Sequence, residues 1–463
     1  EALKQQMSIA TQLASAPSSA TKKALARPFS FFGEAFQTLA ETNTAEAPNI
    51  VGCLKFQKLP PNSAIQKALE EKLLCFERFR SRIVLEGNQH FFQELSKVDV
   101  KQHVHSAHVP APGGDRGAAN YCEQILLAPF NPLLPQWELH VLEDTATKGG
   151  FVVFRINHAI ADGTTLVQVL LSLTDEQDKP PVAAPPAPRP SLIAKAMQWV
   201  VWALRMMWLF LPALYLALVA PAIHNDSPTT LKKGNKKHSG KPVCGMSESI
   251  SLDESKRIGR ATNATVNDVF MAAASGALRQ YMVQQHDPLV AGQRTFVRAI
   301  IPMNMRVRSL RGPIRFGNEI SFLYVPMAIG EGTGTSRLAT MKKTLDFLKA
   351  APVAVLTVVL NKILTSVLGK GFLMQKAAEV SEKATLVLTN VPGPSGPVSF
   401  CGQEVDSIFF FVNCAQGLAL CVFSYNGRVR LSLCGDREHI VDAAAITSGF
   451  NREFERLSTE VLG

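Results

Sequence analysis

The segment FVVFRINHAIADGTTLVQVLLSL, residues 151–173, holds the strongest candidate for chemistry in the chain. An apolar run typical of a strand leads to His158, and Asp162 and Gly163 follow before a helical pattern begins. A histidine in such a turn is suited to accept a proton from a hydroxyl group, because its ordinary pKa of about 6.5 lies near neutral pH. We expect Gly163 to adopt backbone angles that a side chain would resist. On spacing alone, a structural hydrogen-bonding role for His158 is the alternative.

The other histidine-rich stretches predict structure and not chemistry. His103, His105 and His108 have no carboxylate or cysteine cluster nearby, so we assign no metal site, and His103 and His105 share a face if that stretch is extended. We expect Trp137 and His140 to pack in the core.

Composition bounds the class of protein. The 463 residues are 46 % hydrophobic and 19 % charged, which excludes a disordered chain. The net charge of +10 favours anionic partners, namely nucleic acid, acidic lipid or a phosphate-bearing cofactor. Basic residues are not interleaved with aromatic residues in a nucleic-acid motif, so we exclude nucleic acid. The 8 cysteines include no C-x-x-C pair, which predicts reduced thiols and no disulfides.

The pattern along the chain predicts mixed α/β (α+β) units on either side of a linker. Six prolines between residues 179 and 190 favour an extended connector. The expected organisation is a disordered or organelle-targeting lead-in at 1–27, an N-terminal domain at 28–178, a linker with hydrophobic and basic segments at 179–245, and a C-terminal domain at 246–463.

The linker contains the most apolar stretch, residues 206–223, which carries no charge. A helix of this length reaches about 27 Å against a hydrocarbon core of roughly 30 Å, so a full span is marginal. Pro212 and Pro221 favour a kinked, interfacial anchor, and a buried core helix is the alternative. A basic cluster suited to anionic headgroups follows it, made of Lys232, Lys233, Lys236, Lys237 and Lys241.

Two helices are predicted in the C-terminal half. One begins near Asn267 and Asp268, where a carboxylate suits the positive end of the helix dipole. The other covers 353–372, with apolar residues along one face. We expect this face to pack in the core, and lining of a lipid channel is the alternative.

The H-x-x-x-D-G pattern at His158 is the signature of an acyltransferase superfamily that includes the BAHD enzymes and peptide condensation domains. Taken with other motifs, the chain from about residue 28 onward resembles the wax ester synthase/diacylglycerol acyltransferase family. The motifs that carry this resemblance are NPLLPQWELHVLED (131–144), VNDVFMAAASGALRQYM (266–282), IPMNMRVR (301–308), GNEISFLYVPM (317–327), TNVPGPSGP (389–397) and SYNGRVRLSLCGDRE (424–438).

The resemblance implies two chloramphenicol-acetyltransferase-like domains with a tunnel between them that admits acyl-CoA and an acceptor alcohol. On the family pattern, His158 in the tunnel is the general base. We expect Asp162 to orient the loop through an ion pair, with Arg306 or Arg308 as its partner. No cofactor is implied beyond acyl-CoA as co-substrate.

One position departs from the family motif, which usually begins with two histidines. Here Asn157 precedes His158, so the first position can only form hydrogen bonds. Asn390 and Gly393 are expected in a turn that the second domain carries toward the tunnel, or in a purely structural turn. Thr389 is a possible donor to the tetrahedral oxyanion.

The resulting expectation is an acyl-CoA-dependent O-acyltransferase that acylates diacylglycerol, a long-chain fatty alcohol or both, giving triacylglycerol or wax ester. The alternatives are a BAHD-like enzyme for a smaller alcohol and a non-catalytic lipid-surface protein. We expect association with a membrane or lipid droplet, at the endoplasmic reticulum with the catalytic domains facing the cytosol, or in a plastid. The sequence leaves the oligomeric state open.

Overall fold

The computed structural model describes residues 25–147, 149–176, 197, 200, 207–232, 238–290, 297–305, 314, 316–318 and 320–463. Several expectations lie outside these residues: nearly all of the 1–27 lead-in, the proline-rich connector, and the side chains of Arg306, Arg308, Lys233, Lys236 and Lys237.

The N-terminal lobe is built on a five-stranded sheet with the order β15-β2-β7-β6-β5. Its central strand β7 is the apolar run that precedes His158, and seven of its eight residues are buried because the sheet is covered on both sides. A smaller sheet, β1-β4-β3, packs beside it. The strands of this half are β1 (Leu25–Pro28), β2 (Asn49–Phe56), β3 (Ser81–Glu86), β4 (Gln89–Glu94), β5 (Val104–His108), β6 (Trp137–Glu143) and β7 (Gly150–Asn157).

The C-terminal lobe is built on a second sheet with the order β11-β10-β12-β16-β17-β8, and β9 also pairs with β17. Its strands are β8 (Pro242–Met246), β9 (Ile250–Ser251), β10 (Arg298–Asn304), β11 (Ile320–Pro326), β12 (Leu386–Pro392), β16 (Leu418–Tyr425) and β17 (Arg428–Asp436). The hairpin β13 (Ser399–Phe400) and β14 (Gln403–Glu404) precedes β15 (Ser407–Val412). Strand β8 therefore places the end of the expected linker in the second sheet.

Strand β15 crosses between the lobes. In sequence it lies between β12 and β16 of the C-terminal lobe, but it pairs antiparallel with β2 at the edge of the N-terminal sheet, from Ser407 opposite Lys55 to Val412 opposite Ile50. A buried cluster of side chains from β2, β7, β15, β16 and β17 lies behind this junction. The two lobes are therefore parts of one folded unit.

Eleven helices of the described residues cover the sheets. They are α1 (Phe31–Thr42), α2 (Asn62–Ala68), α3 (Gly114–Ile125), α4 (Gly163–Leu173), α5 (Met207–Ile223), α6 (Leu252–Thr262), α7 (Val266–Gln284), α8 (Gly334–Ala350), α9 (Val353–Leu368), α10 (Lys370–Ser381) and α11 (Ala443–Leu462). Short 3-10 turns lie at Thr44–Glu46, Glu77–Arg80 and Val100–Gln102, and π-helical turns at Leu69–Leu73 and Tyr215–Val219.

Helix α7 forms the centre of the C-terminal core. It begins where the sequence predicts, with a capping box in which the Thr265 and Asp268 side chains each accept from the other residue's backbone N–H. Its small residues allow α11 to pack closely, since a Cβ on Gly276 would lie 2.4 Å from the Glu453 carboxylate. The predicted helix start is confirmed.

Two expectations for apolar helices change. The predicted helix 353–372 ends at Leu368, because Gly369 adopts a φ of +82° and a new helix begins at Lys370. Val353 alone is fully buried in α9, so the expectation that its apolar face packs in the core is wrong. No single helix among the described residues is both long and apolar enough to cross a membrane. Helices α8 and α9, which meet at a bend of 50°, are long and apolar enough when taken together.

Candidate active site

A large cavity, with a volume of about 1070 Å³, lies between the lobes. The N-terminal lobe contributes α1, the sheet face of β2 and β7, and α4, whereas the C-terminal lobe contributes β10, β11, β12 and helices α9 and α10. Most of its lining side chains are aliphatic or aromatic. Such a cavity suits an extended apolar substrate.

His158 borders this cavity directly after β7 ends. Its Nδ1 is buried and has no hydrogen-bond partner among the described residues, while the residue as a whole is only half-buried. The ring of Phe36 packs against the imidazole with 4.6 Å between ring centroids. With Nδ1 covered, a substrate in the cavity reaches the ring through Nε2.

The surroundings of His158 favour its neutral form. Burial lowers its pKa below the ordinary value of 6.5, and the residue's own backbone carbonyl, the Asp162 carboxylate and Asn318 offset this only in part. An imidazole that is neutral at pH 7 can accept a proton. The chemistry predicted from the residue type therefore fits the site.

Asp162 acts locally as the N-cap of α4. Its Oδ1 accepts hydrogen bonds from the Thr165 backbone N–H and the Thr164 hydroxyl, both at 2.9 Å. This cap fixes the start of the helix that follows the His158 turn. Its expected ion pair with Arg306 or Arg308 falls outside the described residues.

Gly163 does not have the backbone conformation expected of it. It is the first residue of α4, and it is absent from the residues with positive φ in the described chain. A Cβ at this position would lie 3.5 Å from Val391 Cγ2, in ordinary contact, at the cavity wall. The glycine therefore leaves space beside His158 instead of supplying an unusual φ.

Asn157 is a structural residue of the turn. Its Nδ2 donates to Gln37 Oε1 at 2.9 Å and to Gln136 Oε1, and its Oδ1 accepts from the Ala159 backbone N–H at 2.8 Å. It is buried and is not among the residues that line the cavity. Its interactions are hydrogen bonds, as the sequence predicts.

The TNVPGP segment reaches the cavity as a strand, so the expected turn is wrong for its first residues. Thr389 and Val391 of β12 line the cavity, whereas Asn390 is exposed and donates to Asn267 Oδ1 at 3.1 Å. Gly393 packs against β16, where a Cβ would lie 2.4 Å from the Phe423 ring. Because successive side chains of a strand point to opposite faces of the sheet, Thr389 faces the cavity and Asn390 faces away from it.

Asn318 is the site residue that motif reasoning missed. It lies in the C-terminal lobe and is buried, and its Nδ2 donates a hydrogen bond of 3.1 Å to the backbone carbonyl oxygen of His158. Its backbone N–H donates to Ser30 Oγ, the N-cap of α1. A second bridge is Asn304, whose Nδ2 donates to Thr164 Oγ1 at 2.7 Å. A polar residue directly before an apolar strand, as in GNEISF, is the signal that identifies Asn318.

Other polar clusters lie apart from His158. His238, Asp436 and His439 bring their ligand atoms within 4.8 Å of one another, but the Asp436 oxygens accept from Ser239 and from the Glu438 backbone N–H, and none of the three lines the cavity. Trp137 and His140 are buried, which confirms their predicted core position.

His103 differs from its expected strand position. It follows the 3-10 turn and precedes β5, and its Nδ1 contacts the Trp137 carbonyl at 2.8 Å. His103 and His105 therefore do not share a strand face.

Comparison with known proteins finds matches to one acyltransferase family in both lobes. The family model "wax ester synthase/diacylglycerol acyltransferase catalytic domain" matches residues 36–223, and the WS/DGAT C-terminal domain matches residues 316–458. Wax ester synthase/diacylglycerol acyltransferase 5 of Arabidopsis thaliana is 26% identical over 434 residues, which cover 83% of this chain and 85% of that protein.

Solved structures share the fold. The wax ester synthase/diacylglycerol acyltransferase of Marinobacter aquaeolei VT8 superposes with a TM-score of 0.65 at 18% identity, over 94% of this chain and 100% of that one. The starter condensation domain of rhizomide synthetase superposes with a TM-score of 0.61 at 12% identity, over 96% of each chain. The two-lobed, condensation-like fold expected from the motifs is thereby confirmed. The chain belongs to the wax ester synthase/diacylglycerol acyltransferase family and is an acyltransferase.

Proposed function

We propose that the protein transfers a fatty acyl group from acyl-CoA to the hydroxyl of diacylglycerol or of a long-chain fatty alcohol, with His158 as general base. The observation that carries the proposal is the position of a half-buried histidine, whose pKa is lowered by burial, on the wall of a large apolar cavity. The related condensation domain of rhizomide synthetase was solved with C8-CoA, which supports an acyl-CoA donor.

The reaction proceeds in two steps. The acceptor oxygen forms a bond to the thioester carbonyl carbon while its proton moves to His158 Nε2. The tetrahedral intermediate then collapses, the carbon–sulfur bond breaks, and the CoA thiolate takes the proton from His158. No covalent intermediate with the protein is required.

Thr389 is our candidate for stabilising the tetrahedral oxyanion. It borders the cavity from the opposite lobe, and its hydroxyl has no hydrogen bond within the described part of the chain. Such a donor has most effect where water is excluded. Asp162 and Asn318 act as positioning residues, since their contacts hold the His158 turn.

We further propose that the protein works at a membrane or lipid-droplet surface, at the endoplasmic reticulum with its catalytic lobes facing the cytosol. Exposed apolar side chains on α5 support the association with an apolar surface. Deleting residues 199–223 is expected to move the protein from the membrane fraction to the supernatant. An unchanged membrane fraction would contradict this role for the segment.

The function is tested by product analysis. Membranes that contain the protein are incubated with labelled palmitoyl-CoA and either diacylglycerol or hexadecanol, with His158→Ala in parallel. We expect label in triacylglycerol, wax ester or both, and none with the variant. Ester formation that survives His158→Ala would exclude His158 as the base, and no ester with either acceptor would favour a smaller alcohol or a non-catalytic protein.

A further inference from the structure

Helices α5 and α9 each present two different faces. On α9, Thr357, Asn361 and Leu364 line the cavity. The opposite side of α9 exposes an apolar stripe at intervals of four residues: Val355, Val359, Ile363 and Val367. Helix α9 therefore has cavity-lining residues on one side and exposed apolar side chains on the other.

Helix α5 has the same construction. Leu216, Ala217 and Pro221 border the cavity. Its outer side exposes an apolar stripe with the same spacing, formed by Met207, Leu211, Tyr215, Val219 and Ile223, with Trp208 beside it at 79% exposed. The π-helical turn of α5 contacts α9. The two stripes, which we call the docking face, therefore lie on adjoining helices.

The cavity opens beside this docking face. Leu218 of α5 lines the cavity and is 38% exposed at the same time. Helix α10 follows α9 across Gly369, and its Gly371, Gln375 and Lys376 are both exposed and part of the lining. An apolar molecule held at the docking face is thus next to the cavity mouth.

The charges around the docking face favour an anionic surface. Helix α5 carries no charged residue, and the single charge on α9 is the exposed Lys362. On α10, Lys376 pairs with Glu379 at 2.7 Å and Lys370 pairs with the buried Glu34 at 3.3 Å, so the exposed Lys362 is the lysine of these described helices that has no ion pair. Lysines near an apolar stripe extend toward lipid headgroups while their stems cover apolar surface.

We infer that the docking face binds the surface of an anionic phospholipid bilayer, and that the lipid acceptor enters the cavity there without crossing water. Because each helix has an exposed apolar stripe on one side and cavity-lining residues on the other, we place both helices in the plane of the interface. The binding part of this inference is independent of catalysis, and the acceptor route rests on the proposed function.

The test is flotation of the full-length protein with vesicles of phosphatidylcholine alone or with phosphatidylserine added. The Val359→Asp/Ile363→Asp double variant and Leu211→Asp alter the docking face, whereas Val283→Asp is the matched control, because Val283 is an exposed apolar residue on α7. We expect each docking-face substitution to reduce the bound fraction about tenfold. Binding of the wild type should strengthen with phosphatidylserine, and the control should bind as the wild type does.

Ester formation separates binding from chemistry. With diacylglycerol embedded in vesicles, the double variant should lose activity in parallel with binding, whereas with a short alcohol dissolved in buffer its rate should equal that of the wild type. Thermal unfolding of each variant checks that it is folded. If the wild type makes no ester with any acceptor but the binding pattern holds, the proposed function fails and the docking inference stands.

Three results would overturn the inference. The double variant could bind vesicles as well as the wild type, or Val283→Asp could lose binding to the same extent. Alternatively, the wild type could fail to bind vesicles and sediment as a dimer that the double variant dissociates, which would make the docking face a contact between two copies.

Discussion

The wall of the cavity around His158 and the wall formed by α5 and α9 are built in opposite ways. Around His158, Asn157 makes three side-chain hydrogen bonds, Asp162 caps α4, and Asn318 fixes the turn from the other lobe. On α5 and α9, by contrast, stripes of exposed apolar side chains face away from the cavity. The comparison teaches that the candidate base lies in a turn held by polar contacts from both lobes, whereas the outer stripes of α5 and α9 are exposed among the residues that the structure describes.

We expect the largest difference in activity between a substitution in the wall around His158 and a substitution in the wall formed by α5 and α9. His158→Ala should lower kcat/KM by about 10²–10⁴-fold for every acceptor, because it removes the proposed general base. Leu364→Ala on α9 should change KM within about tenfold and leave kcat nearly intact, because it removes only apolar contact. Steady-state kinetics with two acyl chain lengths measure both. Equal losses of kcat in the two variants would remove the distinction between the walls.

Thr389→Val should lower kcat by about 10²-fold with little change in KM, because the hydroxyl acts on charge that develops in the transition state. Valine keeps the shape of the side chain. The control is Asn390→Ala on the same strand, which points away from the cavity and should retain activity. A normal kcat for Thr389→Val would show that the oxyanion is held by another group.

The pH dependence of kcat/KM tests the environment of His158. Because burial lowers its pKa below 6.5, the neutral, active form persists to lower pH than it would for a free histidine. Activity should therefore be constant through neutral pH and fall as pH drops through a midpoint below 6.5. A midpoint above 6.5 would show that the charge of Asp162 outweighs burial.

Asn157→Ala should affect stability and leave the acid midpoint of activity unchanged. It removes three hydrogen bonds and takes the Asn157 donor away from the Oε1 atoms of Gln37 and Gln136 in a buried site, which should cost about 1–3 kcal/mol in the free energy of unfolding. Denaturant unfolding measures the loss. A shifted acid midpoint would show that Asn157 acts on His158 and is more than a structural residue.

The sequence was sufficient for the parts of the site that are local. A strand, a turn and a helix follow one another here, and this order brings together His158, Asp162 and Gly163. The strand β7 can be predicted from its run of apolar residues. Asn318 and Thr389 could not be placed in this way. Their roles depend on which residues of the second lobe face the first, and chain distance carries no information about that.

The helices show the same limit. The start of α7 was predictable because its cap lies in four consecutive residues. The apolar spacing of α9 predicts burial, yet its outer stripe is exposed, because spacing alone does not show what covers an apolar face. The break after Leu368 depends on a single residue, Gly369, whose φ is positive.

The position of β15 in the N-terminal sheet has a consequence for how the protein is made. Residues 407–412 pair with β2, so during synthesis the N-terminal sheet lacks its edge strand until most of the chain has left the ribosome. Until then, β2 presents unpaired backbone groups that can associate with other chains. A nascent chain, or an expressed fragment limited to residues 36–223, is therefore expected to depend on chaperones and to aggregate without them.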